Sequence, residues 1–298
     1  MFSQYFGHYL LNKTIVTTEQ LQKALELQKS THLKLGVLAI NEGFMSATQV
    51  EETHQKQMQM DKRFGEIALQ LGYLTEPQLS QLLAAQKESH LVLGQVLVDE
   101  NILTLEQLSE ALSSYKRDHS LSDEQFQAIT KGDVELLLNQ MLHLEASSDK
   151  PLLLDYITLF AKNIIRFVDE QLHMETLPTT NVLSGDRIVY QKIHGDIELF
   201  TAIIAEETVF LDIASKYSQE ALSSIDELAE ASVSEFLNLH NGLVTVNLSN
   251  QGTELDMEPQ QVVANGTIQS FQDASIVKVT ISSGSFTLFI SKKPPVIS

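Results

Sequence analysis

SSIDELAEASVSEFLNLHNG, residues 223–242, reads as one long helix with an apolar stripe and a polar face, and the reading of the second half of the chain turns on it. Ser224 followed three residues later by Glu227 predicts a capping box, in which hydroxyl and carboxylate satisfy the first free backbone N–H groups. Gly242 predicts the helix end. At ~100° per residue, Ile225, Ala229, Val233, Phe236 and Leu239 fall in the apolar stripe, while Ala231, Glu235, Asn238 and Gly242 line up away from it. Glu235 and Asn238 are therefore expected to neighbour each other and to face outward. The charged residues from Gln219 to Glu235 are Glu220, Asp226, Glu227, Glu230 and Glu235, all acidic. A partner for this surface is expected to bring positive charge or a bound cation.

Upstream of this helix, Pro151 opens LLLDYITLFAKNIIRFVDEQL, where Leu154, Ile157, Phe160, Ile164 and Phe167 recur at helical spacing and predict a buried helix. The period then changes. Ile188 and Tyr190 lead through the turn His194-Gly195-Asp196 into IELFTAIIA, whose two sides are both apolar, as in a central strand. A helix, EETVFLDIASKYSQE, comes next. After Gly242 follow LVTVNLS, the turn Asn250-Gln251-Gly252 and TELDM, then a closing hairpin of IVKVTI and SFTLFIS around Ser282-Ser283-Gly284. Helix, strands, helices and strands in that order predict an α+β domain over residues 150–298.

The first half repeats. Gly7, Gly36, Gly65 and Gly94 stand 29 residues apart, preceded by Phe6, Leu35, Phe64 and Leu93. Gln28, Gln57 and Gln86 follow the first three glycines at a constant offset, with Tyr115 in the fourth unit. A second glycine falls at Gly43 and Gly72, where the outer units carry Thr14 and Asn101. Each unit reads as two short helices, as in RFGEIALQLG, a turn at Gly72, then TEPQLSQLLAAQ with Thr75 as N-cap and Pro77 in the first turn. Neither helix can bury its stripe alone, so the units are expected to pack on one another as an all-α module over 1–118. Residues 119–149 are expected to be a helical connector ending in the polar linker EASSDKP.

Composition narrows the function classes. A net charge of -19 argues against nucleic-acid backbones and anionic membrane surfaces as partners, since neutralising phosphates requires clustered Lys and Arg. One small anionic ligand in a local pocket stays compatible with it. The chain has no cysteine, which excludes disulfides and thiolate chemistry. No two of its nine histidines have the spacing of a helical metal pair, so no metal site is expected. MFSQYFGHYLLNKTIV has no secretory-signal pattern, and no apolar run approaches ~18 residues. The expected location is the cytoplasm.

The repeat pattern, a basic residue before Leu-Gly or Phe-Gly, a second glycine and a terminal Gln, resembles the MshE-type N-terminal domain of type II secretion and type IV pilus ATPases. The resemblance covers about residues 5–118 and implies cyclic di-GMP as a possible ligand. Repeat three carries the full set, Arg63, Phe64, Gly65, Gly72 and Gln86; repeat two carries Lys34, Leu35, Gly36, Gly43 and Gln57. Arginine suits such a site because its planar fork stacks on a base or pairs with a phosphate. The alternative is a copy kept as a docking module.

Over residues 150–298, Glu235-x-x-Asn238-x-x-x-Gly242, the later Pro259 and the preceding Gly-Asp-Ile strand are similar to the CheC and CheX family of chemotaxis phosphatases. Ala231 stands where that family often carries Asp or Ser. The resemblance implies a CheX-like domain, a phosphorylated response-regulator receiver domain as partner, Glu235 and Asn238 as catalytic residues, Mg²⁺ held by the partner, no intrinsic cofactor, and a possible homodimer. The chemistry is consistent with these residue types. An aspartyl phosphate is an activated acyl phosphate, so a partner mainly has to position a water in line with phosphorus. A neutral amide offers a donor and an acceptor without adding charge. The rival expectation is a non-catalytic adaptor that binds a receiver or secretion machinery.

Overall fold

The computed structural model describes residues 1–28, 34–57, 62–85, 92–144, 149–178 and 180–298. These divide into two units, Met1–Asp133 and Val134–Ser298. The stretch read as a connector is thus shared between them.

The first unit is helical throughout its described residues: α1 (Phe2–Asn12), α2 (Thr18–Leu27), α3 (Leu35–Asn41), α4 (Ala47–Gln57), α5 (Phe64–Gln70), α6 (Glu76–Ala85), α7 (Val92–Asp99), α8 (Leu105–Asp118) and α9 (Asp123–Thr130). Three local devices recur with the period of 29. The first helix of each pair ends at a left-handed residue, namely Thr14, Gly43, Gly72 and Asn101, with φ of 56°, 68°, 71° and 55°. The second helix starts on a hydroxyl that accepts from the backbone N–H three residues on, while the Gln there returns the bond: Thr17 with Gln20, Ser46 with Gln49, Thr75 with Gln78 and Thr104 with Gln107. The helices of a pair then cross at the first glycine. A Cβ on Gly36 would lie 2.7 Å from Val50 and one on Gly65 2.6 Å from Leu79, so only glycine lets the helices approach this closely.

The first pair packs on the fourth. Tyr115 of α8, fully buried, meets the rings of Phe2, Phe6 and Tyr9 edge-on at 5.6, 5.7 and 5.1 Å. The departure from Gln at the fourth terminal position is thereby explained, because an aromatic closes this cluster. Tyr9 donates to Asp118 at 2.9 Å, and burial together with that carboxylate pushes its hydroxyl up to about 12.

The second unit contains α10 (Val134–Met141), α11 (Lys150–Phe167), β1 (His173–Thr176), β2 (Val182–Gly195), β3 (Leu199–Ala205), α12 (Glu207–Ser218), α13 (Glu227–Ser249), β4 (Leu255–Met257), β5 (Gln261–Gln269), β6 (Ser275–Ile281), β7 (Gly284–Ser291) and β8 (Val296–Ile297). The strands form one antiparallel sheet in the order β1-β6-β7-β3-β2-β5-β8, with β4 on β2. All seven residues of β3 are buried, as its two apolar sides require of a central strand. Period-two alternation sends Phe200, Ala202 and Ile204 into an apolar cluster with Ile188, Ile268 and Phe289 on one face. It sends Thr201 and its cross-strand partner Gln191 to the other, where α11 and α13 pack. There Phe236 lies edge-on to Phe160 at 5.6 Å and to Tyr217 at 5.5 Å, and burying each such ring stabilises the fold by about 1.5–3 kcal/mol.

Two expectations change for the central helix. It begins at Glu227 on Asp226, whose carboxylate accepts from the Ala229 N–H at 2.9 Å, and not on Ser224. Asp caps as well as Ser does and stands nearer the first buried turn. Ile225 therefore lies before the helix, and Leu239 is only half-buried; the inward stripe is Ala229, Val233, Phe236, Leu237, His240 and Val244. Second, Gly242 does not end it. The helix continues to Ser249, so LVTVNLS is helical although Val244, Thr245 and Val246 favour strands. A mid-helix glycine costs about 1 kcal/mol, which the burial of Asn241 in hydrogen bonds and of Val244 in the core offsets.

Candidate functional site

Helix α13 presents Glu235 exposed and Asn238 half-buried, one turn apart, with Ala231 and Gly242 on the same line. The Asn238 amide is held on both sides. Its Oδ1 accepts from Gln191 Nε2 at 3.0 Å, and its Nδ2 faces Glu235 Oε2 at 3.4 Å. Gln191, 1% exposed, comes from β2. Its Nε2 also donates to the Glu258 carbonyl at 2.9 Å, and its Oε1 accepts from Asn241 Nδ2 at 2.8 Å. Asn241 donates in addition to Thr201 Oγ1 at 2.9 Å, and its Oδ1 accepts from the Tyr156 hydroxyl at 2.7 Å. A chain of hydrogen bonds thus runs from Asn238 through β2 and β3 to α11.

Neighbouring groups shape the surface further. Burial, and after it the Glu235 charge, raise the hydroxyl of Tyr217 of α12. Leu228 and Val246 are exposed on the same face of α13, 45% and 57%, and so flank the polar pair with apolar surface. A Cβ at Gly242 would lie 3.6 Å from Met257, an ordinary contact, so packing does not demand glycine there. Behind the helix His240 is fully buried. Burial lowers it to about 3, so the ring is neutral, and its Nδ1 lies 3.1 Å from Asn163 Nδ2.

The residues of the nucleotide pattern are placed differently. Gly36 and Gly65 are buried at helix crossings, while Gly43 and Gly72 are exposed at left-handed turns. Lys34 is the N-cap of α3. Its Nζ pairs with Asp99 and its N–H donates to Gln95 Oε1 at 3.2 Å. The cleft beside it, about 420 Å³, is lined also by Glu51, His54 and Asp99, so cation and acids share one space. Leu35 is half-buried; Phe64 is buried with its ring 5.0 Å from His54 and therefore does not offer a free face for stacking. Arg63, exposed at the start of α5, donates its backbone N–H to Glu66 Oε2 at 3.0 Å, and Gln57 Nε2 donates to the Lys62 carbonyl at 3.4 Å. Gln86 lies outside the described residues.

Among the described residues no group of His, Asp and Glu is arranged to hold a metal ion, and no helix is long and apolar enough to cross a membrane. Gln191, Asn241, Thr201 and Tyr156 were not singled out from the sequence. The available signal was a Gln between Val189 and Ile193 on the inward side of a strand otherwise apolar there.

No protein-family model matches the chain, and neither does any curated protein. Solved structures do. A chemotaxis protein CheX from Desulfovibrio desulfuricans is 16% identical, TM-score 0.39, covering 49% of this chain and 98% of its own. A CheC-like superfamily protein from Shewanella sp. PV-4 is 26% identical, TM-score 0.38, covering 46% and 96%. A CheX–CheY–BeF3–Mg complex from Borrelia burgdorferi gives 16%, TM-score 0.40, 49% and 98%. The structural neighbours are thus CheX- and CheC-like chemotaxis domains that cover about half of the chain.

Proposed function

We propose that the second unit binds the phosphorylated receiver domain of a response regulator along α13 and hydrolyses its aspartyl phosphate. The observation that carries this reading is the Asn238 amide, anchored from within by Gln191 while its Nδ2 side stays at the surface beside Glu235. A catalyst for an acyl phosphate needs such a group: neutral, oriented in advance, and accessible to a partner. In the step, the oxygen of a water bonds to phosphorus as the bond from phosphorus to the aspartyl oxygen breaks. The products are the receiver's carboxylate and inorganic phosphate, with the water's proton released to phosphate or solvent. Mg²⁺ held by the receiver would neutralise the phosphoryl oxygens, while Asn238 orients the water and Glu235 pairs with a receiver lysine. Exposed Leu228 and Val246 supply apolar area on either side.

The test mixes the full chain with a phosphorylated receiver and follows loss of the phosphoryl group. Asn238→Ala is expected to slow hydrolysis about 100-fold, the scale on which a misplaced reacting group costs rate. Hydrolysis no faster than the spontaneous rate, or unchanged by the substitution, turns the reading to a non-catalytic adaptor. For the first unit, cyclic di-GMP is proposed as a ligand of repeats two and three on the sequence pattern alone. Calorimetry on the full chain decides it; no heat at high micromolar nucleotide rejects it.

A further inference from the structure

We infer that Gln191 is the positioning residue that determines which way round the Asn238 amide sits, and that the direction is set by one backbone carbonyl, that of Glu258. The inference rests on the function proposed above and deepens it. A side-chain amide has two ends of nearly equal shape, one donating and one accepting, so geometry alone does not orient it. A backbone carbonyl has no such freedom, because it only accepts. Glu258 O lies 2.9 Å from the Gln191 amide, which must therefore turn its Nε2 toward it. The second N–H of that nitrogen points to Asn238 at 3.0 Å, so Asn238 must answer with Oδ1 and send Nδ2 outward to Glu235 and the partner. The same orientation puts Gln191 Oε1 against Asn241, which answers with Nδ2 and leaves its Oδ1 for the Tyr156 hydroxyl. Every link is thus a donor meeting an acceptor.

The anchor is itself held. Glu258 N–H donates to the Lys192 carbonyl at 2.9 Å, and Pro259 restricts the residue before it to extended backbone. The proline of the sequence pattern thereby acquires a physical task, that of aiming the carbonyl which orients the whole chain. Gln191, Asn241, Thr201 and Tyr156 are each 1% exposed or less, so water cannot take over the bonds.

The test uses the full chain with Gln191→Met, which keeps the length and removes both ends of the amide, and Thr201→Val, which trims the same network without touching the bond to Asn238. The first readout is nuclear magnetic resonance of the Asn238 side-chain NH₂. It is expected to be rigid in the parent and in Thr201→Val, and mobile with a changed shift in Gln191→Met. The second is receiver dephosphorylation, expected to fall about tenfold in its rate constant in Gln191→Met with receiver affinity unchanged, as for a misoriented group. Equal order of the Asn238 amide in parent and Gln191→Met overturns the inference, whatever the activity. Parent and Asn238→Ala hydrolysing alike overturns the proposed function instead, and the resonance readout still decides Gln191. Should Gln191→Met fail to fold, the parent decides: Overhauser contacts from the Asn238 NH₂ to Gln191 in place of Glu235 would put the amide the other way round and overturn the inference.

Discussion

In the first unit Lys34 and Arg63 stand exposed at the starts of α3 and α5, and the glycines beside them fill tight helix crossings and turns; in the second, Gln191 and Asn241 lie buried under one half-exposed amide, Asn238. The motif letters of the first unit are thus largely explained by how helices meet, whereas Asn238 has polar partners that no packing need requires. The difference teaches that a polar or glycine motif says little about chemistry until the structure shows whether its members serve the backbone or an outward-facing group. Burial makes the second arrangement costly when broken, because a dry, unpaired group loses its full hydration.

Acidification separates the two units most strongly. His240 is held at about 3 by burial, against an ordinary value near 6.5. The unfolded chain takes up a proton as pH falls below about 6.5 while the folded ring stays neutral, so stability is full above that pH and declines below it by about 1.4 kcal/mol per unit until pH nears the folded value. Amide hydrogen exchange is expected to show α13 and β3 losing protection first, and His240→Gln to flatten the decline. Parallel loss in α3 to α8, with no change on substitution, would break the contrast.

A smaller effect probes the glycines of the first unit. Gly65→Val forces a branched side chain against Leu79 and is expected to cost about 2 kcal/mol in urea unfolding, in the range for overpacked cores. Gly72→Ala, in open space at φ 71°, is expected to cost about 1 kcal/mol through backbone strain alone. A neutral Gly65→Val would mean that the crossing is loose and that the glycine serves something other than packing.

The smallest expectation concerns Lys34. Its pair with Asp99 leaves the two side chains 56% and 35% exposed, and such pairs contribute well under about 1 kcal/mol after screening and side-chain entropy. Lys34→Ala should therefore leave the urea midpoint nearly unchanged. A loss comparable to that of Gly65→Val would move Lys34 from the surface account into the structural one.

Much of this architecture was legible beforehand. The period of 29, the left-handed Gly72 turn and the Thr75 cap are local matters of backbone geometry, and residue type reveals them. The apolar run of β3 announced a strand buried on both faces, and its hairpin with β2 followed from His194-Gly195-Asp196. Strands β1 and β5 are not legible in the sequence because His173–Thr176 and Gln261–Gln269 are polar or irregular in alternation, being stabilised by neighbours rather than by their own pattern. The end of α13 is hidden for a related reason: Gly242 is a stop signal only where nothing else rewards continuing.

By itself the sequence determined the helix pairs of the first unit, the α+β order of the second, and the outward placement of Glu235 beside Asn238, since each follows from spacing along one segment. Only the tertiary structure decided which end of the Asn238 amide faces the surface. That choice depends on Glu258, Gln191, Asn241 and Tyr156, brought together from four segments of the chain, and a hydrogen bond's direction is visible only once donor and acceptor stand face to face.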